Sequence, residues 1–194
     1  ETIKRTNNYH DKTSNDDIIS ASNIREKIKN KEDVRKYLPL QALNSIVNYN
    51  EDNYFNLLKY KIISDDNLDK YLDVDEGIEY RLKKYIYKAN TLEEFINLIK
   101  TKRYTYNKLN RMFIHILTSL KKDDNKDLEY IKILGFNMRG KDYLNKLKEL
   151  EITTIVNKNS LQYRYELRSS IIYDLINGTN TYQFEQQNKP VIKD

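Results

Sequence analysis

Apolar side chains recur at three- and four-residue steps in the segment from Thr101 to Lys122. This spacing places them on one face of an α-helix, because an α-helix has about 3.6 residues per turn. The pattern therefore predicts an amphipathic helix of roughly five turns, whose apolar face packs against other helices. The residues of this face are Leu109, Met112, Phe113, Ile116, Leu117 and Leu120.

The same period recurs along most of the chain and predicts further helices. Thr91, followed three residues later by Glu94, forms a capping box, which marks the start of a helix. Ser20 and Ser22 are good N-caps and predict a helix that begins beside them. Additional helices are predicted at residues 53–63, 78–89, 92–100, 139–150 and 161–176.

Two short segments near the C-terminus have the composition of β-strands. Residues 130–136 and 152–156 are rich in β-branched and aromatic side chains, and the helix predicted at 139–150 lies between them. A strand, a helix and a second strand in this order form a βαβ unit. The predicted fold class is therefore mainly α, a helical domain with a small βαβ unit at about 130–157. The tail, residues 179–194, is expected to be an extended segment on the core.

Composition excludes several kinds of site. The 194 residues include no Cys and only two His, so disulfides and thiolate metal sites are excluded, and no metal site is predicted. The acidic residues within 73–76 lack the EF-hand spacing and are interpreted as capping and solubilising residues. No stretch approaches the roughly 18 apolar residues of a membrane span, and no apolar leader follows the first residue. We therefore expect a cytoplasmic protein without membrane contact.

Positive charge is concentrated in the segment with the clearest helical period. Seven Lys or Arg and no acidic residue lie from Lys100 to Lys122, although the net charge of the whole chain is only +5. Cations at a helix N-terminus are unfavourable unless an anion offsets them, and the phosphate of a nucleotide or nucleic acid does so. A solvated, lysine-rich helix end is the alternative. The residues at the predicted helix start are Lys102, Arg103, Lys108 and Arg111.

The helix predicted to begin near Ser20 offers a second candidate anion site. The first backbone N–H groups of a helix have no partner within it, and they favour negatively charged ligands. The hydroxyls of Ser20 and Ser22 lie beside these groups, and Arg25 follows about one turn later. Together they suit a phosphate. The alternative is an ordinary capped helix with an exposed Arg.

The sequence contains no recognisable catalytic constellation. Cys is absent, and His115 lies between two Ile residues of the predicted helix, where a hydrogen-bonded packing role is expected. His10 lies on a polar loop, where a role near a ligand stays open. Tyr104 and Tyr106 have basic neighbours and are candidates for stacking on RNA bases, with core packing as the alternative. The catalytic residues therefore stay unassigned.

Five segments of the sequence, taken in order, resemble one family of enzymes. The first, ISASNIR, resembles the second signature of the HIGH-type nucleotidyltransferases, a serine-rich turn followed by Ile and Arg that holds ATP phosphates. The five segments are ISASNIR at 19–25, DVRKYLP at 33–39, YLDVDEGIE at 71–79, KTKRYT at 100–105 with Arg111, and LGFN at 134–137. Together, over nearly the whole chain, they look like the C-terminal portion of bacterial tRNA(Met) cytidine acetate ligases.

The resemblance implies an ATP-dependent tRNA-modifying ligase. Members of this family activate acetate with ATP to acetyl-adenylate, release pyrophosphate, and then acetylate the wobble cytidine of elongator tRNA(Met), usually with Mg²⁺ on the nucleotide. The resemblance implies that the ATP phosphates are lined by Arg5, Ser20, Ser22 and Arg25. It also implies that the side chains facing nucleotide or tRNA are Lys102, Arg103, Lys108 and Arg111.

The resemblance further implies a division of the chain. The HxGH-like motif of the family is absent from the sequence, and the residues up to Arg5 read as the end of a strand. Residues 1–29 are therefore expected to be the tail end of a Rossmann-like nucleotidyltransferase domain. Residues 30–194 are expected to form a helical C-terminal tRNA-binding domain. A chain without the N-terminal nucleotidyltransferase half is expected to be inactive alone.

Two functions of other classes stay open on the sequence. The first alternative to the enzyme is a helical RNA-binding module without catalysis, whose serine-rich turn is only a helix cap. The second is a structural protein whose charge clustering reflects genome composition. Titration with ATP separates the enzyme from the RNA-binding module. Salt-dependent RNA binding separates both from the structural protein.

Overall fold

A computed structural model describes residues 18–43, 46, 49–124, 127–147, 156–187 and 189–193, and within these ranges the chain is mainly helical. The helices are α1 Ala21–Lys29, α2 Leu40–Leu43, α3 Glu51–Ser64, α4 Ile78–Tyr85, α5 Leu92–Ile99, α6 Tyr106–Thr118, α7 Met138–Leu147, α8 Leu161–Asn177 and α9 Thr181–Gln187. A 3-10 turn, Ile86–Lys88, directly follows α4. The strands are β1 Gly135–Phe136 and β2 Val191–Ile192.

The chain folds as two compact units that divide between Tyr49 and Asn50. The first unit contains α1 and α2, and the second contains all the later elements. In the first unit, α1 begins after the N-cap Ser20 and is followed by the C-cap Asn30, whose N–H donates to the carbonyl of Glu26 at 2.9 Å. The predicted helix beside Ser20 is therefore confirmed.

The core of the second unit is built mainly from the inward faces of α3, α4, α5 and α6. Phe95 lies between two other aromatic rings, with its centroid 5.9 Å from that of Phe55 and 5.7 Å from that of Phe113. Leu58 and Leu82 are fully buried around them. Full burial of one such side chain stabilises the fold by about 1.5–3 kcal/mol, so this cluster fixes the position of α6.

Helix α6 has the predicted apolar face, but it is shorter than predicted. It spans 13 residues, Tyr106–Thr118, with Thr105 as N-cap and Ser119 as C-cap, and the φ of Ser119, +59°, is left-handed. The preceding residues form a turn in which the N–H of Tyr104 donates to Oγ1 of Thr101 at 3.0 Å. Lys102 and Arg103 therefore lie in this turn, ahead of the helix.

The described residues do not form the predicted βαβ unit. Of the predicted strand 130–136, only β1 is a strand, and its parallel partner is β2, with Gly135 opposite Val191. The reason is that Tyr130 has its backbone N–H and carbonyl bonded to the side chain of Gln162 on α8, at 3.3 and 3.2 Å. A neighbouring strand is therefore not needed there. Residues 152–155 of the predicted second strand lie outside the described residues.

The tail also differs from the extended segment that was predicted. It contains α9, which follows a short turn after α8. Both carboxylate oxygens of Asp174 accept hydrogen bonds from the start of α9, including the N–H of Thr181 at 2.7 Å and the N–H of Tyr182 at 2.9 Å. This side chain, distant in sequence from the usual cap position, stabilises the helix start.

Across the described ranges, none of the helices combines the length and the apolar character that crossing a membrane requires.

Candidate nucleotide and nucleic-acid contact sites

The first candidate site is the start of α1 in the first unit. Oγ of Ser20 accepts a hydrogen bond from the N–H of Asn23 at 3.1 Å, and the carbonyl of Ser20 accepts one from Ile24 at 3.0 Å. This geometry is that of an N-cap. The N–H groups of Ala21 and Ser22, at the first two helical positions, have no acceptor within the helix. An anion at this end would complete their hydrogen bonding.

Asn23 is a functional candidate that the sequence analysis missed. Its side chain is buried, with 1% of the residue exposed, and neither Oδ1 nor Nδ2 has a hydrogen-bond partner within the described ranges. An unsatisfied buried polar group costs about 1–3 kcal/mol, so a ligand that bonds to the amide would recover this energy. The signal available in the sequence was the three-residue spacing from Ser20, which places Asn23 on the first turn.

The other predicted residues of this site differ in exposure, and one of them lies outside the described residues. Ser22 is partly exposed on the first turn, and Arg25 is exposed one turn from the cap. In the described part of the chain, the guanidinium of Arg25 pairs with no carboxylate. Arg5 lies outside the described residues. The structure therefore brings Ser20, Ser22 and Arg25 together at one helix end.

The second candidate site is the start of α6 in the second unit. Lys102 and Arg103 lie in the turn before the helix, and Lys108 and Arg111 lie in its first two turns. The ammonium of Lys108 lies 4.3 Å from the centre of the Tyr104 ring, a cation–π distance. The four predicted basic residues thus lie at one end of one helix, and we call them the basic cluster.

Carboxylates from the loop before α4 pair with two members of the basic cluster. Nε of Arg111 lies 2.7 Å from Oδ2 of Asp73, and Nη2 of Arg103 lies 2.6 Å from Oε1 of Glu76. Asp73 and Glu76 have left-handed backbones, with φ of +66° and +57°. The counter-charge that the sequence analysis assigned to a phosphate is therefore supplied in part by the protein itself.

The charges around Asp73 change its ionisation. The hydrogen bonds and charge of the Arg111 guanidinium hold the pKa of the Asp73 carboxyl below its usual value against the opposing effect of desolvation, with smaller contributions from His115 and Lys108. Asp73 therefore stays ionised at neutral pH. Arg111 uses two nitrogens on this carboxylate, at 2.7 and 3.2 Å, and its exposed guanidinium keeps further N–H donors.

His115 has the packing role that the sequence predicted. Its Nδ1 lies 3.3 Å from the carbonyl oxygen of Leu72 and 3.1 Å from Oδ2 of Asp73. Tyr104 is buried, and its hydroxyl donates to the carbonyl of Asp75 at 2.6 Å. Desolvation, together with the nearby carboxylates, raises the pKa of the Tyr104 hydroxyl. Tyr104 therefore packs in the fold, whereas Tyr106 is exposed.

The comparisons with known proteins place the chain in a family. The family model of the HIGH nucleotidyl transferases matches residues 1–189. The chain belongs to the HIGH nucleotidyl transferase family. The sequence-based assignment of a HIGH-type nucleotidyltransferase relative is confirmed by this match.

Curated proteins that are similar to this chain include tRNA(Met) cytidine acetate ligases. The protein of that name from Oceanobacillus iheyensis is 36% identical over 89% of this chain and 48% of its own length. The one from Clostridium perfringens strain ATCC 13124 is 34% identical over 98% of this chain and 52% of its own length. The predicted resemblance is confirmed, and the chain spans about half the length of the curated relatives it matches.

A solved structure supports the fold. The crystal structure of Thermotoga maritima TmcAL bound with alpha-thio ATP superposes with a TM-score of 0.70, at 19% identity, over 90% of this chain and 52% of that one. At this level of identity the likeness shows a shared fold.

The family match corrects part of the predicted fold class. The chain was expected to contain only the tail end of a nucleotidyltransferase domain, followed by a separate C-terminal helical domain. This expectation is wrong, because the nucleotidyl transferase family model matches residues 1–189. The expectation that the chain is a C-terminal portion lacking the nucleotidyltransferase half is overturned by the same match.

Proposed function

We propose that this protein takes part in the ATP-dependent acetylation of a cytidine in tRNA(Met), in the cytoplasm. The proposal depends on the Ser20-capped start of α1, where the buried amide of Asn23 has no hydrogen-bond partner among the described residues. The chain also matches the HIGH nucleotidyl transferase family over residues 1–189. The names of the curated relatives support the same reaction. In finer detail, the acceptor is the wobble cytidine of the elongator tRNA.

In this proposal the start of α1 binds the phosphates of ATP. The N–H groups at the helix start and the hydroxyls of Ser20 and Ser22 donate to phosphate oxygens, and Arg25 adds a charge-assisted hydrogen bond. Asn23 fits the same ligand, because Nδ2 can donate to a phosphate or ribose oxygen. Arg5, outside the described residues, is proposed to join them.

The reaction needs positioning and charge stabilisation from these residues. A carboxylate oxygen of acetate attacks the α-phosphorus of ATP, forming acetyl-adenylate and releasing pyrophosphate. The exocyclic amine of the cytidine then attacks the acyl carbon, AMP leaves, and the amine loses a proton. Arg25 and the helix N–H groups stabilise the negative charge that develops on the phosphate.

Magnesium is proposed to arrive with the nucleotide. In the described part of the chain no group of three or more His, Asp or Glu side chains is arranged to hold a metal ion. Mg²⁺ commonly keeps several waters and binds substrate phosphates with one or two protein carboxylates. Its contribution would be to neutralise charge on the triphosphate.

The basic cluster is proposed to contact phosphates of the tRNA. Lys102 and Lys108 have no carboxylate partner within the described ranges, and the paired side chains of Arg103 and Arg111 are still 71% and 60% exposed. An exposed pair of this kind contributes little to stability, so a phosphate can replace the carboxylate at small cost.

ATP binding tests the nucleotide half of this proposal. Isothermal titration of ATP into the 194-residue chain is expected to give saturable binding, and Arg25→Ala is expected to weaken it about ten- to hundred-fold, as for loss of a charge-assisted hydrogen bond. The matched control is Arg35→Ala, because Arg35 lies in the same unit and is bound to Asp33 at 2.6 Å. Equal effects of the two substitutions would contradict the assignment.

A second candidate function is a helical RNA-binding module without catalysis. It is favoured by the ordinary capping role of Ser20, whose Oγ is already bonded to the N–H of Asn23. In that case the chain binds tRNA with strong salt dependence but gives no heat with ATP. The ATP titration therefore separates the two functions.

A further inference from the structure

A stripe of exposed aromatic and basic side chains runs along α4 and the 3-10 turn that follows it. Tyr80 is 76% exposed and Tyr87 is 68% exposed, and Lys84 and Lys88 are exposed between and beside them. Residues four apart lie on the same face of a helix, so Tyr80, Lys84 and Lys88 form one row, with Tyr87 at its end. We call these four residues the tyrosine–lysine stripe.

The two lysines of the stripe have no acidic partner among the described residues. Each ammonium lies 5.5 Å from the centre of the Tyr85 ring, on which Arg81 also lies at 5.1 Å. Three cations on one ring make this face strongly positive. The stripe therefore has positive charge that no carboxylate of the described residues pairs with.

The neighbouring cations, by contrast, have structural roles. The guanidinium of Arg81 donates to the carbonyls of Leu98 and Ile99 at 2.7 and 3.1 Å, at the end of α5. The ammonium of Lys83 donates to the carbonyl of Asp66 at 2.9 Å. Fold stability thus explains Arg81 and Lys83 and leaves Lys84, Lys88 and the two exposed tyrosines unexplained.

Exposed tyrosines alternating with lysines match the chemistry of unpaired RNA. Bases that are not in a duplex stack on aromatic side chains, and the adjacent phosphates bind Lys. Tyr80 and Tyr87 are about 10 Å apart along the helix axis, which leaves room for Lys84 to reach a phosphate between two stacked bases. The free positive charge favours RNA over a neutral protein surface.

We propose that the tyrosine–lysine stripe is a second RNA-contact surface, which binds unpaired nucleotides. This inference rests on the proposed function, since that function makes an RNA the partner. The inference adds to the proposed function an RNA contact on α4, outside the basic cluster. It also assigns base stacking to Tyr80 and Tyr87 and phosphate binding to Lys84 and Lys88.

The test is fluorescence anisotropy of a labelled RNA hairpin titrated with the full chain at several salt concentrations. The double variant Tyr80→Leu with Tyr87→Leu is expected to weaken binding about five- to hundred-fold with an unchanged salt slope, and the corresponding Phe double variant is expected to restore it. Lys84→Gln with Lys88→Gln is expected to lower the slope of log K against log salt by about 1.5. The controls are Tyr143→Leu and Lys141→Gln on α7, both exposed, which are expected to bind as the unmodified chain does.

The outcomes distinguish a failure of this inference from a failure of the proposed function. If the unmodified chain binds the hairpin and the stripe variants bind equally well, the stripe is overturned while the proposed function stands. If the unmodified chain binds no RNA, both fall. Equal affinity for the hairpin and for a fully paired duplex of the same length would overturn the assignment to unpaired nucleotides. If the stripe variants lose binding to anionic lipid vesicles but not to RNA, the assignment to RNA is overturned. Circular dichroism of each variant checks that the overall helical content is unchanged.

Discussion

The carboxylate of Asp73 accepts two hydrogen bonds from the guanidinium of Arg111, at 2.7 and 3.2 Å, across a separation of 38 residues. Asp73 has a left-handed backbone, which is uncommon for a residue with a side chain and costs energy unless the surroundings offset it. The pair therefore joins a strained acidic loop to the start of α6. The same guanidinium is a proposed RNA contact, so the carboxylate and an RNA phosphate compete for it.

Asp73→Asn removes this competition without changing the shape of the side chain. Asn tolerates a left-handed backbone, so the substitution isolates the charge. We expect RNA affinity to rise by up to about five-fold, equivalent to about 1 kcal/mol for one unit charge at contact distance in water. The free energy of unfolding should fall by less than about 1 kcal/mol, because Arg111 is largely exposed. Anisotropy with the hairpin RNA and urea unfolding measure the two quantities.

The control for this prediction is Asp75→Asn. Asp75 lies in the same loop but pairs with Lys122 at 2.8 Å, outside the basic cluster. It should change RNA affinity less than Asp73→Asn does. A lower affinity of the Asp73→Asn variant would mean that the carboxylate positions Arg111 for RNA and does not compete with it.

Asn23→Ala tests the buried amide at the start of α1. Because neither amide atom has a partner among the described residues, the substitution is expected to remove an unsatisfied polar group, and Ala is the better helix former. We expect the free energy of unfolding without ligand to change by less than about 1 kcal/mol, whereas the ATP-induced rise in melting temperature should be largely lost. Ser20→Ala is the contrasting variant, since loss of the cap should destabilise α1 by about 1 kcal/mol. A full thermal shift with ATP in Asn23→Ala would exclude this side chain from the site.

The sequence was a good guide to features that depend on neighbouring residues. The apolar face of α6 follows from spacing alone, and Leu109, Met112 and Phe113 are fully buried as predicted. The cap at Ser20 is likewise a local property of a hydroxyl next to a helix start. The approximate grouping of Lys102 and Arg111 at one helix end followed from the same helical period.

Features that depend on distant contacts were not predictable in the same way. The pairing of Arg111 with Asp73, and the bonds of Tyr130 to Gln162, join residues more than thirty positions apart. Nothing in the local pattern specifies them. For the same reason, residues 130–134 read as a strand, although the Gln162 side chain takes the place of a neighbouring strand at Tyr130.

Gly135→Ala should separate the two short strands. A Cβ at this position would lie 2.8 Å from the carbonyl oxygen of Val191, and a backbone atom cannot swing aside as a flexible side chain can. We expect a local cost of about 1–3 kcal/mol. The N–H groups of Val191 and Lys193 bond to the carbonyls of Leu134 and Phe136, so their hydrogen exchange should become much faster. Ile192→Ala, at an exposed position, should leave that exchange unchanged.

Asp174 makes the start of α9 sensitive to acid. Desolvation raises the pKa of the Asp174 carboxyl, but hydrogen bonds from Thr179, Thr181 and Tyr182 outweigh it. Together they lower this pKa from its ordinary value of 3.8 to about 2. The folded state thus binds its proton only at lower pH than the unfolded state does. The stabilisation is therefore complete above about pH 4 and is lost as the pH falls towards 2.

The expected size of this acid-sensitive contribution is at most about 2 kcal/mol, and solvent screening reduces it. Other carboxyls titrate in the same range, Asp33 among them, so the quantity to measure is the difference in unfolding free energy between the unmodified chain and Asp174→Asn. Urea unfolding at several pH values from 2 to 6 should show this difference shrinking as the pH falls, because protonated Asp174 resembles the amide. A difference that stays constant across this range would mean that Asp174 caps α9 through geometry alone, with no contribution from its charge.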